Sequence, residues 1–267
     1  MKAEQRRHLT NLLRNVIYEL TGNYYPDERM KILEYKVERL IKELRLDIET
    51  PEGIVSYFLQ SEERRKLLID LMTVPETRFF REREQLEVLF DDPLKGRTLL
   101  EMASVGCSTG QEPYTLAMMM EERGIGGTVT GMDINEKVLR EARAGVYRAD
   151  ELKDIPPEYR RFVLVRGKFL EIKPEIRRRV RFRQVNLVEG RDFEALRGQF
   201  DVVLCRNVLI YFDTRSKETA LTNLGTILRS GGILVLSSTE ILGREFQRLF
   251  ESFKCGKFFF YRKREEG

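Results

Sequence analysis

The sequence predicts an α/β protein in which a doubly wound, mostly parallel sheet follows an N-terminal helical domain and carries a small inserted β-subdomain. From residue 98 onward, apolar runs alternate with helix-like segments, a pattern typical of a parallel sheet covered on both faces. The first 72 residues instead place apolar side chains at helical spacing. Roughly 35 residues separate a helix near residue 145 from a strand near 180, which is longer than an ordinary connection.

The helical domain is expected over residues 1–72, with breaks at 23–27 and 50–53, where proline, glycine and small polar residues cluster. The N-terminal segment lacks the continuous apolar stretch of a signal peptide, and no segment is long enough to span a membrane. A cytoplasmic protein without membrane insertion is therefore expected.

The second domain is expected over residues 73–267, after a link at 72–77. Its strands are expected at 98–103, 128–134, 180–187, 200–206 and 232–238, with a closing pair at 250–254 and 257–262. The inserted β-subdomain is expected at about 147–179, as a hairpin that turns at Arg166-Gly167. Long insertions of this kind commonly carry partner recognition.

The most informative segment follows the first strand of this sheet. A turn of small residues contains Gly106 and Gly110, which permit a tight strand-to-helix connection and a close backbone approach to a ligand. About twenty residues later the next strand ends in Asp133, where such folds place an acid against ribose hydroxyls. The loop lacks the Gly-Lys-Ser/Thr ending of a phosphate loop and the full dinucleotide fingerprint. S-adenosylmethionine therefore fits best, and the alternative is a plain βαβ turn without a ligand.

Polar residues after two later strands extend this candidate site, because ligands bind beyond the carboxyl ends of parallel strands. Asn186 offers a paired donor and acceptor to an adenine edge, or else caps its strand. Asn207 and Tyr211 are placed to face the transferred group, although Tyr211 could instead pack on a helix start.

Composition restricts the chemistry. His8 is the one histidine, so no histidine-based nucleophilic site fits near the glycine loop, and a metal would need carboxylates or thiols alone. No metal is therefore expected. A carboxylate methyl acceptor needs no base, since it is already ionised at a pKa near 4.3. The three scattered cysteines indicate reduced thiols of a cytoplasmic protein.

Charge is nearly balanced, with 47 basic and 43 acidic residues, so nucleic acid is not expected as a partner. Residues 140–185 contain 14 Lys and Arg against 7 Asp and Glu, a local excess of 7 basic residues. This segment is either a docking surface for an acidic partner or an ordinary solvated face.

Several segments, in order and across nearly the whole chain, resemble the chemotaxis receptor methyltransferase (CheR) family. They are TRFFRE at 77–82, STGQEPY at 108–114, Asp133-Ile134 with Val138-Leu139, Gly145-Val146-Tyr147, Val185-Asn186-Leu187, and CRNVLIYFD at 205–213. The resemblance implies a Rossmann-like methyltransferase fold. It also implies transfer of a methyl group from S-adenosylmethionine to chemoreceptor glutamates, which yields S-adenosylhomocysteine and glutamyl methyl esters that serve sensory adaptation in signal transduction.

The same resemblance assigns residues. Thr77 and Arg81 would bind the methionyl end of the cofactor and Asp133 the ribose, while Arg81 and Tyr211 would align the reacting groups. The remaining cofactor contacts would come from Ala103, Gly106, Glu112, Asn186, Leu187, Arg206 and Asn207, with Asn186 and Leu187 at the adenine. Pro75 stands where relatives often have asparagine, so a contact there is lost or is made by backbone.

The predicted partner is the cytoplasmic helical bundle of a chemoreceptor, bound by a monomeric enzyme. The hairpin loop is short and has a single glycine, Gly167, so docking through a receptor C-terminal pentapeptide is not expected. Two alternatives remain open: a methyltransferase of the same fold acting on RNA or a small molecule, and a cofactor-binding module that has lost catalysis.

Overall fold

The computed structural model describes residues 3–45, 48–73 and 75–264 and divides the chain into two compact units. One unit comprises Met1–Val74 with Tyr211–Lys217, and the other comprises Pro75–Ile210 with Glu218–Gly267. Residues 1, 2, 46, 47, 74 and 265–267, which the predicted domains and link include, lie outside the described residues. The domain boundary after residue 72 stays our proposal.

In its described residues, the first unit contains four amphipathic α-helices. They are α1 (Ala3–Thr21), α2 (Met30–Leu44), α3 (Pro51–Leu59) and α4 (Glu62–Met72). Their apolar stripes form one core from Leu9, Leu13, Ile17, Leu33, Val37, Leu40, Ile54, Phe58, Leu68 and Met72. The break expected at 50–53 is partly wrong, because α3 begins at Pro51. The Thr50 side chain accepts the N–H of Gly53 and caps the helix, while proline suits its first turn.

The later segment of this unit joins the N-terminal helices through backbone and side-chain hydrogen bonds. A 3-10 turn covers Leu209–Tyr211, and the Tyr211 carbonyl accepts the N–H of Tyr24 at 2.8 Å. The Tyr18 hydroxyl donates to Asp213 at 3.0 Å. Asp213 also accepts the N–H of Ser216 at 2.8 Å, near the start of α10 (Thr214–Ile227).

Across the part of the second unit that the structure describes, the predicted sheet has seven strands in the order β6-β2-β1-β7-β8-β10-β9. The strands are β1 (Leu99–Val105), β2 (Gly126–Asp133), β6 (Val180–Gln184), β7 (Phe200–Leu204), β8 (Leu228–Val235), β9 (Phe250–Cys255) and β10 (Phe258–Lys263). The first five are parallel and the closing hairpin is antiparallel, which confirms the predicted fold class. The strand expected at 232–238 begins four residues earlier, and the one expected at 180–187 ends three residues earlier.

Helix α5 (Arg83–Asp91) precedes β1, and further helices follow the strands of the sheet. They are α6 (Gln111–Glu122), α7 (Glu136–Ala144), α9 (Gly190–Glu194) and α10. The run Met118–Met120 is fully buried in α6, as packing residues should be. Gly145 ends α7 in the left-handed conformation, a common helix stop because glycine has no Cβ.

The insertion forms a separate three-stranded sheet in the order β3-β5-β4, made of β3 (Val146–Arg148), β4 (Val163–Arg166) and β5 (Phe169–Ile172), with the one-turn helix α8 (Pro174–Arg177) after it. The expectation of two strands was therefore incomplete, since β3 also pairs with β5. The hairpin between β4 and β5 turns through Gly167-Lys168, and Gly167 takes a φ of 59°. A two-residue connection of this kind is tight.

Among the residues described, no helix combines the length and apolar character needed to cross a bilayer.

Candidate functional site

The candidate site lies at the carboxyl ends of four adjacent parallel strands. Because the sheet order there is β6-β2-β1-β7, the segments that follow these strands meet at one edge. They contribute Asn186 and Leu187, then Asp133, then the glycine loop, and finally Arg206 with Asn207. In the sheet, β1 has β2 on one side and β7 on the other. The chain continues from β1 to β2 and later returns to the opposite side of β1 as β7, so the glycine loop after β1 lies at the point where the strand order reverses, the topological switch point.

A cavity lies between the glycine loop, the segment before α5 and the end of β7. Six of the predicted cofactor residues line it: Thr77, Arg81, Gly106, Glu112, Arg206 and Asn207. Ala103 is buried in β1, while Asp133, Asn186 and Leu187 lie at the neighbouring strand ends and are not among the residues lining the cavity.

The glycine loop is shaped by its neighbours as well as by its backbone. Gly106 has a φ of 76°, and a Cβ built on it would lie 2.3 Å from a methyl carbon of Val208. Gly110 has a φ of 92°, and its Cβ would lie 2.8 Å from that of Ala142. Glycine is therefore needed at both positions for the conformation and for the approach of the next segment.

Asp133 fixes this loop from the end of β2. Its Oδ2 accepts the N–H of Ser108 at 2.8 Å, and its Oδ1 accepts the N–H of Asn135 at 3.0 Å. Ser108 has a φ of 50°, which a non-glycine residue adopts at a cost. The carboxylate predicted to hold the ribose thus also holds the loop.

Asn186 forms the strand-end cap that was one of the two interpretations left open by the sequence, and its contact with adenine stays a prediction. Its Oδ1 accepts the N–H of Val188 at 3.2 Å, and its own N–H donates to Asp192 at 3.1 Å. The side chain thus forms a local turn after β6. Leu187 is buried beside it.

Arg206 is buried at the end of β7, with only 2% of its side chain exposed. Its guanidinium donates to Glu112 at 3.0 Å and to the Arg81 carbonyl at 2.7 Å, and it pairs with Glu82 at 3.4 Å. Two carboxylates therefore compensate its charge, as a buried cation requires. Arg206 ties the segment before α5 to the sheet.

Arg81 differs from Arg206 in having no side-chain hydrogen bond or ion pair to the other described residues. It lines the cavity together with Thr77, whose hydroxyl likewise has no protein partner in the described chain. An unpaired guanidinium beside a hydroxyl suits a carboxylate ligand, since arginine binds carboxylates with two parallel hydrogen bonds.

Asn207 has a φ of 60°, and its polar groups are held on two sides. Its N–H donates to Glu240 at 2.7 Å, and its Nδ2 donates to Ser237 Oγ at 3.0 Å. Its Oδ1 is buried and accepts no hydrogen bond from the described residues. The cavity wall thus contains an acceptor without a protein donor, which is the kind of group that a ligand satisfies.

Three polar residues beside the cavity were missed by the sequence predictions: Glu82, Ser237 and Glu240. The pKa of Glu82 is lowered: burial opposes this shift, but the Ser238 N–H, the charge of Arg206 and the Ser237 hydroxyl outweigh it. Burial raises the pKa of Glu240, against the opposing effect of three backbone N–H donors. Glu82 had a weak signal as the last residue of TRFFRE, whereas Ser237 and Glu240 had none.

The thiols of Cys107 and Cys205, near the site, lie in surroundings that make them unreactive. Burial raises the pKa of Cys107 and Cys205 well above the usual value, and nearby carboxylates add to the effect. The thiolate is therefore disfavoured at both. No group of three or more His, Cys, Asp or Glu in the described chain is arranged to hold a metal ion.

Tyr211, the other predicted catalytic residue, belongs to the helical unit together with Tyr24 and Tyr25. His8 lies in that unit too, where its Nε2 is 2.8 Å from Glu52. The catalytic role of Tyr211 stays a prediction.

Residues 75–259 match the family model for the CheR methyltransferase, SAM binding domain. The chain is 31% identical over 247 residues to chemotaxis protein methyltransferase 2 of Vibrio cholerae, covering 86% of this chain and 84% of that protein. It is 29% identical to chemotaxis protein methyltransferase 2 of Pseudomonas aeruginosa, covering 85% and 84% respectively. It is 33% identical to methyltransferase 1 of the same species, covering 79% of both. The chain therefore belongs to the CheR methyltransferase family, and its methyl donor is S-adenosylmethionine.

Proposed function

We propose that this enzyme transfers the methyl group of S-adenosylmethionine to glutamate side chains in the cytoplasmic helical region of chemoreceptors. The observation that carries the proposal is the cavity at the switch point, where Arg81, Thr77 and the amide of Asn207 converge. The names of the relatives as chemotaxis methyltransferases support the biological setting.

The cavity residues match the amino-acid end of S-adenosylmethionine in charge and hydrogen bonding. Arg81 and Thr77 offer donors for its carboxylate, and the unpartnered Oδ1 of Asn207 offers an acceptor for its ammonium. Asp133 would then hold the ribose, with Asn186 and Leu187 at the adenine, because these residues follow in order along the same sheet edge.

When bound, the cofactor supplies an electrophilic methyl group on a sulfonium. Transfer to a glutamate carboxylate forms an O–CH₃ bond and breaks an S–CH₃ bond, while the sulfonium and carboxylate charges cancel and no proton moves. The residues of the chain therefore need to bind, orient and desolvate the reacting groups rather than exchange protons. The described residues that line the cavity include no histidine, and burial raises the pKa of the one thiol among them, Cys107, which agrees with this chemistry.

Arg81 and Tyr211 are proposed to align the donor and acceptor. In the described chain the Arg81 side chain has no protein partner that would neutralise it, so it remains available to a ligand. We expect Arg81→Ala and Tyr211→Phe to lower methyl transfer while the melting temperature barely changes. If both variants keep full activity, these assignments are wrong.

Recognition of the receptor is proposed to use the basic segment 140–185. Of its fourteen basic side chains, five form ion pairs to described residues: Arg143, Arg148, Arg161, Arg166 and Arg179. The others leave uncompensated positive charge for a glutamate-rich surface.

We place the monomeric enzyme in the cytoplasm, which the three free, buried cysteines support.

The decisive experiment incubates the enzyme with cofactor carrying a labelled methyl group, together with receptor cytoplasmic fragments and with RNA. Base-labile label on receptor glutamates is expected, because methyl esters hydrolyse in base. Stable label on RNA would instead support the alternative methyltransferase, and cofactor binding without transfer would indicate a binding module.

Docking without a pentapeptide tether is tested separately. The two-residue turn at Gly167-Lys168 exposes little backbone for an added peptide strand. We expect binding to a receptor helical fragment that weakens with salt, since the Debye length is about 10 Å at 0.1 M. Micromolar affinity for the receptor's C-terminal pentapeptide would contradict this proposal.

A further inference from the structure

Two loops that come from distant parts of the sequence meet at Ser237, a hydrogen-bond partner of Asn207. One is the turn Ser237–Glu240 after β8, closed by a hydrogen bond from the Glu240 N–H to the Ser237 carbonyl at 2.9 Å. The other carries Glu82, whose Oε1 accepts the Ser237 hydroxyl at 2.9 Å and whose Oε2 accepts the Ser238 N–H at 2.8 Å. All these groups belong to the same compact unit as the cavity.

The bond between Ser237 and Glu82 determines which way the Asn207 amide faces. A serine hydroxyl has one hydrogen, and here the ionised Glu82 takes it, because a carboxylate can only accept. The Ser237 oxygen must therefore accept from its other partners, which are the Nδ2 of Asn207 at 3.0 Å and the hydroxyl and N–H of Thr239 at 3.1 and 3.4 Å. The amide nitrogen is thus turned toward Ser237, and Oδ1 is left as the buried acceptor without a protein donor.

Glu240 holds the backbone of the same residue. Its Oε2 accepts the N–H groups of Asn207 at 2.7 Å and of Ser237 at 3.1 Å, and its Oε1 lies 3.3 Å from the N–H of Ile210. Glu240 is 9% exposed, so these bonds act where water competes little. They stabilise the left-handed φ of 60° at Asn207, which an unrestrained asparagine would leave.

We propose that Glu240 and Ser237 are positioning residues that aim the Asn207 Oδ1 at the ammonium group of S-adenosylmethionine. The inference rests on the proposed placement of the amino-acid end of the cofactor in the cavity. Neither residue touches the ligand in this scheme, since both act through Asn207. Loss of the Ser237 hydroxyl frees the Asn207 side-chain amide to rotate, and loss of the Glu240 carboxylate lets the Asn207 backbone relax. In either case the ligand loses an oriented acceptor.

The test compares two ligands by calorimetry: S-adenosylhomocysteine, which has the amino-acid end, and 5′-methylthioadenosine, which lacks it. In Glu240→Gln an amide N–H₂ must face at least one backbone N–H that the carboxylate accepted. In Ser237→Ala the partner of Nδ2 is removed. We expect both variants to raise the Kd of S-adenosylhomocysteine by roughly tenfold, about the effect of one lost hydrogen bond, and to leave the Kd of 5′-methylthioadenosine within about twofold.

The matched control is Glu245→Gln, an exposed carboxylate five residues along the chain that makes no hydrogen bond to the described residues; we expect both affinities to be unchanged. Equal losses for the two ligands would show a general structural role and overturn the proposal. So would unchanged affinity for S-adenosylhomocysteine in folded Glu240→Gln and Ser237→Ala. If Glu240→Gln does not fold, Ser237→Ala alone decides, because it removes only a hydroxyl.

An Arg81→Ala arm separates this inference from the proposed site. If Arg81→Ala weakens S-adenosylhomocysteine selectively while Glu240→Gln and Ser237→Ala do not, the site stands and the positioning role is wrong. If none of the three variants discriminates between the ligands, the placement of the amino-acid end fails and the positioning role fails with it. Selective loss in all three supports both.

Discussion

The buried charge cluster around Arg206 gives the sharpest stability prediction. The perturbation is Glu112→Gln, which keeps the shape of the side chain and removes one of the two negative charges that compensate the guanidinium. Arg206 is 2% exposed and Glu112 is 15% exposed, so solvent replaces little of the lost interaction. The remaining partners are Glu82 at 3.4 Å and the Arg81 carbonyl at 2.7 Å.

The expected magnitude follows from this geometry. Leaving a buried charge wholly uncompensated costs about 3–5 kcal/mol. Since Glu82 still pairs with Arg206 and the Gln amide oxygen still accepts a hydrogen bond, we expect a smaller loss of about 1.5–3 kcal/mol in the free energy of unfolding, typical of a hydrogen bond to a charged group. For a chain of this size that is a fall in melting temperature of roughly 3–10 °C.

The assay is urea unfolding of the wild type and of two variants under the same conditions. The matched control, Glu194→Gln, removes one charge from the exposed pair with Arg197, in which the side chains are 58% and 56% exposed. Exposed pairs contribute about 0–1 kcal/mol, so the control should lower the midpoint slightly or not at all. If the two variants lose equal stability with unchanged m-values, burial does not strengthen the Arg206 cluster and the reasoning is refuted.

Four further outcomes are expected. Asp133→Asn should weaken binding of S-adenosylhomocysteine by roughly tenfold in calorimetry, because one acceptor oxygen becomes a donor; unchanged affinity would contradict the ribose assignment. Gly106→Ala should lower the free energy of unfolding by more than about 1 kcal/mol, since the new methyl group meets Val208 at a φ of 76°; a neutral effect in urea unfolding would contradict this. Burial raises the pKa of Glu240 above 4.5, so between those values the folded state binds a proton that the unfolded chain does not, and the wild type should gain stability over Glu240→Gln as pH falls from 7 toward 4.5. The raised pKa and burial of Cys107 should make its alkylation by iodoacetamide at pH 7.5 far slower than that of a peptide thiol, as mass spectrometry of the labelled peptides would report.

The sequence predicted the larger elements because their signals are local. Alternating apolar runs and helical stripes predict a parallel sheet wherever the connections are regular, and glycines end helices at fixed positions. The short strand β3 was missed because three residues are too few to show a period of two. The start of β8 was placed late, since Arg229-Ser230-Gly231 resembles a turn although it continues the strand.

The site likewise contains residues that local sequence signals predict and residues that they do not. Asp133 and Asn207 could be found because parallel strands bring their carboxyl ends to one edge, so position along the chain predicts proximity. The partners of Asn207 could not be found in this way. Ser237 lies 30 residues after it, and the bond from Ser237 to Glu82 spans 155 residues. Side-chain hydrogen bonds over such separations leave no periodic trace in a single sequence.

The backbone of the site suggests why these distant partners are present. Four of the five non-glycine residues with positive φ in the described chain are Phe80, Glu82, Ser108 and Asn207, which lie in the segments around the cavity. Each such conformation costs on the order of 1–3 kcal/mol and persists only where its surroundings enforce it.

Three of the four strained residues are held by the same device. A side-chain oxygen from another segment accepts the strained N–H, with Thr115 on Phe80, Asp133 on Ser108 and Glu240 on Asn207. Because each clamp is a side chain rather than a backbone ladder, the cavity walls are fixed without extending any strand into the ligand space. A methyl transfer that needs alignment and no proton exchange gains most from walls already fixed before the substrates arrive. The strained residues and the side chains that hold them therefore preorganise the proposed cofactor site.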